Sequence, residues 1–259
     1  MRTVQPRTAG RNARLAAHAF TLFALVVWAI YAQFVERYVM PSPIAVVVRL
    51  ADFAVDLNLL GHVLYTIGHI VGAVAISFVI GSAAALLAFY YPPTRLMVHG
   101  RFSPFLNSFS GIGWTLLAVV WFGINDITVV FAISAVLVPF AIINMREGLD
   151  GLDADLFEMG ESFTRRRFRR FVRIVIPSLY PFIFATLRIS FGVAWKVALT
   201  AELLGGNTGL GYLLNLARQD FDMPLILAVI LIIIAFVYST DRFIFAPVQA
   251  RLARHHGAG

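Results

Sequence analysis

The chain has 259 residues, of which 59% are hydrophobic and only 14% charged, and its mean hydropathy is +0.80. A soluble domain carries about 25% charged residues, so the composition excludes a soluble globular enzyme and points to a polytopic membrane protein. The net charge is +7, but the arginines stand in loops between apolar runs, where membrane topology accounts for them without nucleic acid.

A membrane-spanning helix needs about 20 mostly apolar residues. The amino tail, residues 1–17, carries Arg2, Arg7, Arg11 and Arg14 ahead of the first apolar run, His18–Val35. That run is long for a signal-peptide core. Bulky Glu36-Arg37-Tyr38 follows it where a cleavage site would need small residues, so it reads as an uncleaved first span. Pro41–Leu60 mixes Arg49, Asp52 and Asp56 with Val and Leu and reads as an amphipathic stretch at the membrane interface. The second span is Val63–Tyr91, closed by Pro92-Pro93. The third, Phe102–Phe122, holds Asn107, Ser108, Ser110, Gly111 and Gly113 and is expected to be broken or to line a cavity. The fourth is Ile127–Asn144, with Pro139 inside it.

Between the fourth and fifth spans lies the longest polar interruption of the second half. Leu152, Leu156, Met159 and Phe163 are spaced four, three and four apart, which is one face of an amphipathic helix. Asp155 and Glu158 read as a capping box at its start. Six arginines follow, Arg165, Arg166, Arg167, Arg169, Arg170 and Arg173. The fifth span is Leu179–Leu204. A Gly-rich segment after it, Gly205–Gly211, is expected to turn back toward the membrane, and the sixth span is Leu225–Phe245. The expected fold is all-α, with one membrane domain at 18–250, its polar loop at 150–177 and a tail at 251–259. Six spans put both termini on one side. Sixteen basic residues then face that side and three, Arg37, Arg49 and Arg218, the other. This asymmetry makes both termini and the polar loop cytoplasmic.

With this topology the loop resembles the cytoplasmic EAA loop of bacterial ABC importer permeases. That pattern is Glu-Ala-Ala, three residues, Gly, nine residues, then Ile-x-Leu-Pro. Glu158 stands at its Glu, and Ile174, Ile176 and Pro177 at its end. Met159 and Gly160 replace the two alanines, and Thr164 replaces the Gly. Leu187-Arg188, Ala194-Trp195, Ala201-Glu202-Leu203-Leu204-Gly205 and Gly209-Leu210-Gly211-Tyr212-Leu213 resemble the carboxyl half of the permeases for nitrate, sulfonates, taurine, bicarbonate and related solutes. Pro41-Ser42-Pro43 fits the same subfamily, and the resemblance covers about residues 20 to 250. It implies a multi-pass subunit of the bacterial inner membrane. The implied partners are a second permease copy, two cytoplasmic ATPase subunits and a periplasmic substrate-binding protein. It also implies that Leu156, Glu158, Met159, Gly160, Phe163 and Thr164 couple the chain to its ATPase.

ATP and Mg would belong to that ATPase. The chain has no G-x-x-x-x-G-K-[ST] phosphate loop, and its single lysine, Lys196, is followed by Val197. No compact catalytic constellation is present, so the chain is not expected to be an enzyme. His62 and His69 are seven apart, too far to close a small chelate, and no metal site is expected.

Charges inside a span are costly and point to function. At 100° per residue, Arg188, Gly192, Trp195, Leu199 and Glu202 fall on a stripe roughly 80° wide, with Lys196 just off it. The stripe is expected to line the translocation path, with Asn107 and Ser110 offering hydrogen bonds to the solute. Glu202 is expected to pair with Lys196 or Arg188 only across helices, because spacings of six and fourteen do not bring them together on one helix. The solute expected is a small organic or inorganic anion. The competing class is a self-contained secondary transporter or channel driven by the charges of the fifth span. No internal inverted repeat supports that class.

Overall fold

The computed structural model describes residues 11–36, 39–152 and 171–249, and every regular element among them is helical. The first helix, α1, is Arg11–Phe34, of which His18–Phe34 is the apolar part. Helix α2, Pro43–Val55, starts where Ser42 accepts the Ala45 N–H at 3.3 Å. Proline in its first turn is tolerated because that N–H has no helical partner.

Helix α3, Leu57–Tyr90, begins six residues before the expected second span. The cause is Asp56, whose side chain accepts the Asn58 N–H at 2.8 Å and so restarts the helix directly after α2. At 1.5 Å per residue α3 is about 51 Å long, more than the ~30 Å hydrocarbon core requires. The expected interfacial stretch Pro41–Leu60 is therefore divided. Its first part is α2, packed on the last helix, and its last residues are the first turn of α3.

The third expected span is bent. Helix α4, Pro92–Ser108, and α5, Gly111–Phe122, meet at 85°. Phe109 and Ser110 at the joint have extended backbones, and Ser110 Oγ accepts the Gly113 N–H to start α5. Pro92-Pro93 does end α3, but it opens α4 as a 3₁₀ turn instead of a loop.

Helix α6, Asp126–Asp150, is the centre of the bundle and packs against α3, α5 and α7. Val129, Ala132, Ile133, Leu137, Ala141 and Ile142 on it are fully buried. A small residue brings α3 against it: a Cβ on Gly81 would fall onto Ala141 and lie 3.1 Å from the Val138 carbonyl. After a π-type turn at Phe171–Val175 comes α7, Ile176–Gly205. The Gly-rich segment is not only a turn. It leads into a short helix, α8, Leu210–Gln219, and then α9, Met223–Gln249. Among the described residues four helices, α3, α6, α7 and α9, are long and apolar enough to cross a membrane. The bent α4–α5 pair passes the same test together, and the apolar part of α1 is shorter. Each of the six expected spans thus has its helical segment.

Candidate functional site

Helix α7 carries the residues of interest, and the structure sorts them onto different sides. Proline at 177 sits in its first turn, where no hydrogen bond is lost. Three turns on, Arg188 reaches α9. Its Nε and Nη2 donate to Asp241 Oδ1 at 3.1 and 2.9 Å, and its Nη1 donates to Gln249. The guanidinium is thereby neutralised across two helices.

Trp195 is only 3% exposed. Its ring lies 5.2 Å from Phe236 of α9 and 6.1 Å from Phe191, edge-on to the latter. Gly192 and Lys196 face outward from the protomer. A Cβ on Gly192 would meet nothing within 4 Å. No carboxylate among the described residues pairs with Lys196.

Glu202 is the reverse case. It is fully buried and is the meeting point of three helices, α7, α3 and α8. A carboxylate has only acceptors, so each neighbour donates. His69 Nδ1 of α3 stands 2.9 Å from Oε1; Thr66 Oγ1 of α3 donates to Oε2 at 3.0 Å, and the Gly211 N–H of α8 at 2.8 Å. Thr66 in turn accepts the Leu210 N–H at 2.7 Å, and the Gly209 N–H donates to His62 Nδ1 at 3.1 Å. Three successive amides at the start of α8 are therefore satisfied by side chains of α3 and α7. The Glu202 charge lies where the helix dipole of α8 favours it.

The turn fits only with glycine. Gly209 has φ +97°, and a Cβ there would fall onto the Glu202 carboxylate. A Cβ on Gly211 would fall onto the Leu199 carbonyl and lie 2.7 Å from Glu202 Cβ. The chain of polar groups extends to α6. His69 Nε2 is 3.4 Å from Asp126 Oδ1 without making a hydrogen bond to it, and Thr208 Oγ1 donates to the same oxygen at 2.6 Å.

The expected stripe therefore does not share one environment. Trp195 and Glu202 point into the protomer, whereas Gly192 and Lys196 point out of it. An arc of roughly 80° is wide enough to straddle both: Glu202 has its donors inside, whereas Trp195 packs on Phe191 and Phe236 with its buried Nε1–H unpartnered among the described residues. Leu199 is half-buried, and Arg188 is held at the α9 contact. Ser110 sits exposed at the α4–α5 joint, next to Gly111, whose Cβ position is 3.4 Å from Val197. Asn107 lines a cleft of about 800 Å³ with His99, Ser103, Arg146, Glu147 and Asp150. Leu156, Glu158, Met159, Gly160, Phe163 and Thr164 lie outside the described residues.

The sequence reading missed Thr66, Asp126 and the true role of His69. A signal was present: His62, Thr66 and His69 stand at i, i+4 and i+7 and make one polar face on an otherwise apolar helix.

Known proteins resemble this chain over the same extent. ThiX of Halalkalibacterium halodurans, named as a formylaminopyrimidine transport permease, is 31% identical over 83% of this chain and 85% of its own length. SsuC of Bacillus subtilis, which carries the name of an aliphatic sulfonates transport permease, is 27% identical over 81% of this chain and 76% of its own. CmpB of Synechococcus elongatus, named as a bicarbonate transport system permease, is 25% identical over 68% and 64%. The sequence model described as binding-protein-dependent transport system inner membrane component matches residues 19–250. The chain belongs to this family: it is the permease of an ABC importer, a transport subunit rather than an enzyme.

Proposed function

We propose that this permease works as a pair of identical copies in a bacterial inner membrane, with both termini and the 150–177 loop in the cytoplasm. Two cytoplasmic ATPase subunits bind and hydrolyse ATP with Mg, and a periplasmic binding protein delivers the solute. The solute crosses between the two copies along the outward side of α7. The solute is a small organic or inorganic anion, in keeping with the names carried by SsuC and CmpB.

The observation that carries this reading is Lys196. It is a charge near the middle of a helix whose other sides are packed by α3, α5, α6 and α8, yet it faces outward with no carboxylate partner among the described residues. In lipid such a charge costs roughly 2.5–3.5 kcal/mol. A second copy with a wet seam between the two removes that cost. A symmetric pair is also the default for a chain with one coupling loop and two ATPases to serve.

The loop is read as the ATPase contact, with Leu156, Met159 and Phe163 as the apolar anchors of a short helix in a groove and Glu158, Gly160 and Thr164 shaping it. Glu158→Arg or Met159→Arg is expected to abolish ATP-driven uptake while membrane insertion stays intact. Uptake and transport-linked ATP hydrolysis at normal rates in both variants would refute the coupling role.

A further inference from the structure

Two cations, Arg188 and Lys196, lie on α7 and the His69 imidazole lies beside it, and the structure leaves one of the three available to a solute. Arg188 is occupied by Asp241 and Gln249. His69 is 5% exposed and turned to Glu202 inside the protomer. Lys196 alone is exposed and has no anionic partner among the described residues.

Its position rules out a simple escape to the membrane surface. Lys196 lies 9 residues before the end of α7 at Gly205, about 14 Å at 1.5 Å per residue. Side chains on a helix lean toward its amino end. For Lys196 that lean is away from the nearer end of α7 and toward the far end, 20 residues off. The side chain therefore leaves the helix on the side away from the nearer end.

Its surroundings leave room. Gly192, one turn toward the amino end on the same side, has open space where a side chain would stand. The α4–α5 joint is at the same level, because Gly111 packs on Val197, the residue after Lys196. Ser110 in that joint is exposed, and its oxygen accepts the Gly113 N–H, which leaves its hydroxyl proton to donate elsewhere. An exposed cation without a carboxylate partner, an open surface position one turn away and a hydroxyl donor on the neighbouring joint are the parts of a site for a small anion.

We propose that Lys196, with the open surface at Gly192 and with Ser110, is the anion-selecting site of the path. This rests on the reading that the outward side of α7 lines that path. Glu202, although it is on the same helix, takes no part in selection, because its carboxylate is fully buried and used by α3 and α8.

The chain has no cysteine, so the site can be probed without knowing the solute. Gly192→Cys is made in the full complex with its ATPase and binding protein, alone and combined with Lys196→Met or Lys196→Arg. Labelling rates are measured with anionic and cationic methanethiosulfonate reagents of similar size, in each nucleotide state. Asn207→Cys, at an exposed position in the turn after α7, is the control for reagent access. The anionic reagent should be favoured at position 192. Lys196→Met should lower that preference roughly tenfold, from the change in Coulomb interaction at this range, and Lys196→Arg should keep it. No labelling at position 192 in any state, while the Asn207→Cys control is labelled, would overturn the path reading itself. Labelling with the same anionic-to-cationic ratio in the Lys and Met forms would overturn the anion site and leave the path standing. Recovery of the ATPase with each variant shows that the complex is assembled.

Discussion

At the scale of single residues, Glu202 is where the physical argument is tightest. It is fully buried, and three donors converge on it from α3 and α8. Removing one side of such a pair leaves the other side buried without a partner, which costs about 3–5 kcal/mol. Glu202→Ala is therefore expected to destabilise the permease strongly. Thr66→Val strands only the Leu210 N–H and one carboxylate lone pair, a loss of about 1–3 kcal/mol. Thermal unfolding of the purified complex should rank the two in that order. A cycle with His69→Ala should show strong coupling to Glu202, since the double variant removes both members of the pair. Additive effects would mean that His69 and Glu202 do not act together.

At the scale of elements, the turn between α7 and α8 and the contact between α7 and α9 are each testable. Gly209→Ala and Gly211→Ala both force a Cβ into occupied space. Both should lower the yield of folded protein, whereas Gly192→Ala, with nothing within 4 Å, should not. Arg188 and Asp241 hold α7 to α9, so Arg188→Asp and Asp241→Arg should each impair uptake and the exchanged pair should recover part of it. Equal loss in all three would place Arg188 elsewhere than in this contact. The six apolar runs were legible in the sequence because each comes near or exceeds the length that lipid demands, and the polar third span was legible as a break. Helix α8 was not, because Gly205, Gly206 and Gly209 before it and Gly211 inside it read as punctuation. Its apolar Leu210, Leu213, Leu214 and Ala217, at i, i+3, i+4 and i+7, carried the helical period all the same. The division of the α7 stripe was illegible for a different reason. A helical wheel gives the angle of a residue but not which neighbour stands there, and Glu202 took its donors from residues 133 and 136 positions away.

At the scale of the whole molecule, the family fixes the chain as one subunit of a larger machine. Mass measurement of the intact complex is expected to give two copies of this chain with two ATPases, and a second, different permease chain would refute the identical pair. The polar cluster around Glu202 has a further consequence, in the time order of synthesis. Helix α3 enters the bilayer with His69 and Thr66 exposed, and their carboxylate is 133 residues away from His69. At ~5–20 residues per second that separation lasts roughly seven to twenty-seven seconds. During that interval α3 has a polar face and no partner, so the nascent chain depends on the insertion machinery to shelter it. Chains truncated before α7 should therefore stay bound to that machinery or be degraded, although four apolar segments are already complete.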